Sequence, residues 1–208
     1  MKFVLLVEGE TETEAIAGFL KRWLDPRLAK PIGIKPVNFR GNARLIDGIV
    51  AKARSYLDSP EAAEIVAVIG LLDLYGIDVY PSAVISAKDR VEWGVNHFGK
   101  LVGRDKFRMF FAVHEFEAWI LAQPEVLPPE VRRILPQNIS RPETVNFTEP
   151  PAKLLNRIYR SATRKDYKKT TYGKQLFRRL EPATVAESCP YLRAMLEEML
   201  QLARAAGC

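Results

Sequence analysis

Ile65-Val66-Ala67-Val68-Ile69-Gly70-Leu71-Leu72 runs eight residues without a polar side chain and then meets an acid, Asp73. An apolar run of this length, rich in β-branched residues, predicts a strand buried on both faces, as in a parallel sheet. Toward the N-terminus, residues 3–7 form a second such run, ended by Glu8 and Gly9. Toward the C-terminus, residues 107–113 form a third, interrupted only by Arg108 and followed by His114, Glu115, Phe116 and Glu117. Residues 32–39 predict one more strand. Between these runs the apolar period changes to that of a helix. Ile16, Phe19, Leu20 and Trp23 recur at helical spacing, with Thr11 or Thr13 available as cap and Pro26 as stop. Leu45, Ile46, Ile49, Val50 and Ala53 repeat the pattern after Gly41-Asn42, and residues 115–122 predict a short helix. Strand–helix alternation predicts an α/β fold: a mostly parallel central sheet, right-handed crossovers and helices on both faces.

The chain divides into three stretches. Residues 1–123 carry the α/β pattern. Residues 124–151 hold seven of the 14 prolines, which makes them a loop-rich connector that cannot be a long helix. Residues 152–208 read as a helical extension packed on the core, with helical patterns over 153–162, 173–180 and 190–205. Its charge is distinctive: residues 151–208 hold 12 basic and five acidic side chains, against 19 and 20 in the first 150. An acidic scaffold with a basic tail points to a polyanionic partner, and the competing explanation is a solvated basic face.

Composition excludes several classes. No apolar run approaches the ~20 residues needed to cross a bilayer, and the apolar start meets Glu8 too soon for a secretory signal. Two cysteines, Cys189 and Cys208, make no disulfide framework and fit a reducing cytoplasm. With only two histidines, a structural zinc site is not expected.

Acids placed directly after strands carry the chemistry. In open α/β sheets the ligand site lies beyond the carboxyl ends of the strands. Glu8, Asp73, Glu115 and Glu117 can converge there, and carboxylates gathered in one place repel each other unless a cation joins them. Oxygen ligands suit magnesium or manganese. Glu115 and Glu117 share a side only while the chain is extended; once a helix begins they point apart and do different jobs. Glu10 and Glu14 read as first-turn acids that complement a helix dipole, and Glu12 stands between that role and a site role. Asp73 instead of binding metal can cap a turn before Gly76. Asp78 is either a further ligand or a loop acid, and His114 either orients a carboxylate or bonds a backbone carbonyl. Residues 157–179 hold nine basic side chains and one acid, with Tyr159, Tyr167, Tyr172 and Phe177 interleaved. Lys153, Lys168, Lys169 and Lys174 are the candidates for gripping phosphates, and the aromatics for stacking on bases. Being distant in the chain, these lysines are expected to leave the acidic cleft untouched.

Several pieces together carry a family resemblance: residues 7–12 (Val-Glu-Gly-Glu-Thr-Glu), 72–76 (Leu-Asp-Leu-Tyr-Gly), 114–119 (His-Glu-Phe-Glu-Ala-Trp), 149–155 (Glu-Pro-Pro-Ala-Lys-Leu-Leu), 167–169 (Tyr-Lys-Lys) and 189–192 (Cys-Pro-Tyr-Leu). The sequence resembles the TOPRIM superfamily, and within it the bacterial family called domain of unknown function 4276. That resemblance implies a TOPRIM/Rossmann-like sheet and, by superfamily analogy, magnesium-dependent cleavage of nucleic acid. It also implies an ATPase partner in a defence or mobile-element setting. One departure stands out. The usual Asp-x-Asp becomes Asp73-Leu74-Tyr75, with a phenol in place of the second metal carboxylate. Asp78 or Glu115 can substitute, or the site holds one metal or none.

The function expected is a cytoplasmic metal-dependent phosphodiesterase. Asp73 with Glu115 or Glu117 holds magnesium or manganese, Glu8 is general acid/base or a further ligand, and one lysine neutralises transition-state charge. The runner-up is a non-catalytic module that binds nucleic acid or a partner, which Tyr75 favours. A third reading, chemistry on a small phosphate substrate, finds neither a Walker loop nor a dinucleotide fingerprint. DNA or RNA, and monomer or homodimer, are left open.

Overall fold

The structure is a computed structural model that describes residues 1–144 and 149–208, apart from the side chains of Glu10, Thr11, Glu12, Glu14 and Asn138. The expected strands form: β1 (Lys2–Val7), β2 (Gly33–Asn38), β3 (Ile65–Asp73) and β4 (Phe107–Ala112). Among the described residues they make one sheet of order β2-β1-β3-β4, parallel throughout. Every residue of β3 is buried, as expected for an interior strand covered on both faces. At the edge, β2 is only partly buried, and there Pro36 can lack its N–H without costing an interior ladder bond.

Side-chain alternation along β1 splits the core. Phe3, Leu5 and Val7 face one cluster, and Val4 and Leu6 the other. The first cluster contains α1 (Glu10–Leu24) through Ile16, Phe19 and Leu20. The second contains α2 (Asn42–Leu57) through Leu45, Ile49 and Ala53, and α3 (Ala87–Val102) through Phe98 and Val102. The sequence pattern above assigns no helix to α3, whose apolar stripe is narrow and includes Gly94. That glycine has a packing reason: a Cβ there would lie 2.4 Å from Cζ of Phe111, so α3 can settle closely on β4. Thr13 does not cap α1, and the side chain of Thr11 lies outside the described residues. Gly9 is its N-cap, and the Thr13 hydroxyl instead donates to the Gly9 carbonyl at 2.7 Å.

After β4 the chain forms α4 (Glu117–Leu121), then short turns and α5 (Pro129–Arg132) through the proline-rich connector. There follow α6 (Pro151–Thr163), a π-helical turn (Lys169–Gly173), α7 (Lys174–Arg179), α8 (Pro182–Ser188) and α9 (Pro190–Ala205). Leu154, Ile158, Phe177, Val185, Leu192 and Met199 from these helices join the cluster on the α1 side of the sheet.

The topology fixes where a site can form. From β1 the chain crosses through α1 to β2, and from β3 through α3 to β4, in opposite directions across the sheet. The two helices lie on opposite faces. A crevice therefore opens between the carboxyl ends of β1 and β3, where Glu8 and Asp73 stand.

Candidate functional site

Asp73 ends β3 and is 5% exposed. Its Oδ1 accepts a hydrogen bond from the Phe116 backbone N–H at 3.0 Å. Its Oδ2 lies 3.3 Å from the Lys169 Nζ. Glu117, the first residue of α4, is 1% exposed, and its Oε2 is 3.4 Å from the same ammonium. The Tyr167 hydroxyl donates to Glu117 Oε1 at 3.4 Å. Two buried carboxylates, from a strand end and a helix start, thus meet on one lysine. Burial of either charge alone would be costly, and the shared ammonium offsets part of that cost for both.

Glu115 and Glu117 point apart because α4 begins at Glu117. The Glu115 Oε2 accepts from the Ala152 N–H at 2.9 Å, in the first turn of α6, where free N–H groups favour an anion. Glu117, not Asp78 or Glu115, is therefore the carboxylate that shares a cation with Asp73. Asp78 is exposed in the loop between β3 and α3. Glu8 is half-buried at the end of β1, and its carbonyl accepts from the Gly41 N–H at 2.7 Å. The strand register sets Val7 opposite Leu71, so Glu8, just past the end of β1, is level with Leu72 and one residue short of Asp73 at the same carboxyl edge. The side chain of Glu12 lies outside the described residues. Tyr75 is half-buried, and its N–H donates to the His114 carbonyl at 2.9 Å, tying the loop after β3 to the loop after β4. His114 is buried, and burial, helped by the positive Arg90, holds its imidazole below the usual range and so toward the neutral form.

The basic segment is not separate from the acids, as its distance in the chain suggested. Lys169 enters the cluster, brought there by the packing of the π-turn and α7 against α1. Three of the four interleaved aromatics are not open to bases either, and Tyr172 is half-buried. Tyr159, Tyr167 and Phe177 are buried, and Tyr159 packs against Tyr167 and Tyr172 at ring distances of 5.4 and 5.7 Å. Burial, with the negative Glu117 nearby, pushes the Tyr167 phenol far above its ordinary value, so it stays a hydrogen-bond donor. Lys153 and Lys168 are exposed, and Lys174 is half-buried. The sequence pattern assigns Lys169 to phosphates and Tyr167 to bases rather than to the acids, yet a signal joins the two: they are two residues apart just ahead of a helix, and that spacing aims both to one side while the chain is extended.

Among the described residues, no three His, Cys, Asp or Glu side chains gather in a metal-holding group. The donor set still fits a hard divalent ion. Asp73 Oδ2 and Glu117 Oε2 lie within 3.4 Å of one cation position, and magnesium commonly takes one or two carboxylates and completes its shell with water and substrate phosphates. For that, Lys169 has to leave.

The molecule is thus a parallel α/β protein with a carboxylate–lysine cluster at the topological switch of its sheet. A family model matches residues 7–200, and the chain belongs to that family, described as a domain of unknown function (DUF4276). No curated protein matches the chain. Three solved structures of the C-terminal region of the Xanthomonas campestris pv. campestris OLD protein, phased with mercury, platinum and iodine, are 15%, 17% and 19% identical to it. Their TM-scores are 0.39, 0.40 and 0.40, and the alignments cover 95% of this chain and 97%, 94% and 96% of theirs.

Proposed function

We propose that this protein is a magnesium- or manganese-dependent phosphodiesterase acting on nucleic acid. One observation carries the reading: Asp73 and Glu117, both buried, face a single cation position beyond the carboxyl end of β3. The TOPRIM resemblance of residues 72–76 and 114–119 supports it. Asp73 and Glu117 would hold the ion, and Glu8 at the adjacent strand end serves as general acid/base or as a further ligand. A bound divalent ion supplies an activated water and stabilises the leaving oxygen. The chain does the rest. The Phe116 N–H fixes the Asp73 carboxylate, and the Tyr167 hydroxyl fixes that of Glu117. The exposed Lys153 and Lys168, with Lys174, would grip flanking phosphates. An ATPase partner and a defence role belong to the same reading. So does a cytoplasmic location, which the two free thiols fit. No helix among the described residues is long and apolar enough to cross a membrane.

A second reading has its own observation. An ammonium occupies the cation position, and Tyr75 stands where the superfamily has an acid, as suits a non-catalytic module that binds nucleic acid or a partner protein. Incubation of the purified protein with plasmid DNA and single-stranded RNA, with magnesium or manganese and with EDTA, separates the two. The enzyme reading expects metal-dependent cleavage that Asp73→Asn abolishes. Cleavage by Asp73→Asn at the wild-type rate would remove Asp73 from the mechanism. No cleavage by the wild type under any of these conditions would favour the binding module.

A further inference from the structure

We propose that Lys169 is an exchangeable counter-ion that couples divalent-ion binding to phosphate binding. Its ammonium holds Asp73 and Glu117 while no ion is present, and leaves them for a substrate phosphate as the ion enters. The inference rests on the reading of the site given above.

Four observations support the exchange. The ammonium lies 3.3 Å from Asp73 Oδ2 and 3.4 Å from Glu117 Oε2, the oxygens that an ion would take, so the two cations compete for one place. The two carboxylates are buried, whereas the Lys169 side chain is 35% exposed, so its amine has a path to solvent that needs no unfolding. The backbone beneath it is anchored. Tyr167 N–H donates to Asn156 Oδ1 at 2.9 Å, and Gly173 packs so closely on Tyr167 that a Cβ there would lie 2.5 Å from the phenol oxygen. The long lysine stem can therefore swing while its attachment stays. Finally, Lys169 opens a π-helical turn, with the Tyr172 and Gly173 N–H groups both directed at the Lys168 carbonyl. Such turns recur at functional sites.

The thermodynamic consequence follows from charge. An ion entering alone must displace an ammonium that has no new anion nearby, and the displaced cation still repels it. A phosphate at the mouth of the cleft gives Lys169 that anion. Ion and phosphate then each raise the other's affinity by the same factor. The apo carboxylates keep a counter-charge, and the ion loads best when substrate is present.

The test is a calorimetric cycle with manganese and thymidine 3′,5′-bisphosphate, which carries two phosphates and no phosphodiester to cleave. Wild-type protein is expected to bind manganese at least about fivefold more tightly when saturated with the bisphosphate. Lys169→Met keeps the aliphatic stem and removes the charge. It is expected to bind manganese at least about tenfold more tightly than wild type without the bisphosphate, and to lose most of the coupling. Any coupling that remains in Lys169→Met is direct chelation of manganese by the bisphosphate. Equal manganese affinity in wild type with and without bisphosphate would overturn the exchange while leaving the ion site standing. So would undiminished coupling in Lys169→Met, or weaker manganese binding by that variant. If Lys169→Met does not fold, Lys169→Gln supplies the charge-free arm with the same expectations, and equal manganese affinity in wild type with and without bisphosphate overturns the exchange by itself. No manganese binding by either folded protein would overturn both the exchange and the metal-dependent reading on which it rests.

Discussion

Asp73 has two neighbours that set what its loss does. Its Oδ1 takes the Phe116 N–H, and its Oδ2 takes part of the Lys169 charge. Read from the sequence, a like-charged carboxylate in an acidic cleft should destabilise the metal-free protein, and Asp73→Ala should relieve that repulsion. The structure reverses the sign, because the carboxylate is hydrogen-bonded and ion-paired. Asp73→Ala leaves a buried amide without its acceptor and Lys169 with one carboxylate fewer, a loss of about 1–3 kcal/mol. The melting temperature of Asp73→Ala in EDTA should therefore lie below that of wild type. An equal or higher value would show that repulsion among the acids outweighs the bonds to Phe116 and Lys169.

At the scale of an element, the start of α9 depends on a residue outside it. Glu143 is buried in the proline-rich connector, and its carboxylate accepts from the Tyr191 and Leu192 N–H groups at 2.9 and 3.3 Å. The Trp119 indole N–H lies near the same carboxylate, outside good hydrogen-bond geometry. Burial opposes the charge and outweighs the helix-end donors, so the carboxyl is pushed up from 4.5 to about 7. The native state then keeps a proton between those values that the unfolded chain has released. Stability is highest in this respect below the unfolded value, falls as pH rises through the window, and levels off above about 7. Glu143→Gln removes the titration and should flatten that part of the profile. Urea unfolding of both proteins at a series of pH values across the window checks it. Parallel profiles would mean that Glu143 titrates at its ordinary value in the native state.

The whole molecule brings its basic C-terminal helices onto the α1 face of an α/β core. Lys169 is turned inward to the acids, which leaves Lys153 and Lys168 as the exposed candidates among the four lysines for nucleic-acid contact. Each phosphate contact contributes about −0.9 to the slope of log affinity against log salt for duplex DNA, and about −0.7 for single strands. Replacing both lysines with alanine should flatten the slope by somewhat under two units on duplex DNA and leave manganese affinity unchanged. A double variant with wild-type affinity and slope would show these lysines to be a solvated face, and the partner would more readily be a protein.

Local pattern was enough for the sheet. Apolar runs at residues 3–7 and 65–72, and a third at 107–113 interrupted only by Arg108, announce strands because burial against helices demands hydrophobicity, and acids just after them mark the carboxyl edge. Residues 7–12, 72–76 and 114–119 pointed to the family for the same reason, since each is a compact turn whose chemistry is local. Helix α3 was not legible, as its docking relies on the missing side chain of Gly94 against Phe111, a feature of a surface rather than of a pattern. Nor could the pattern say which acid shares a cation with Asp73, or that Tyr167 and Phe177 are core. Those facts depend on Lys169 reaching Asp73 across 96 positions of sequence. That contact exists only once α6 to α9 have packed on α1, because an ion pair needs its two charges adjacent in space and nothing in their local sequence sets that distance.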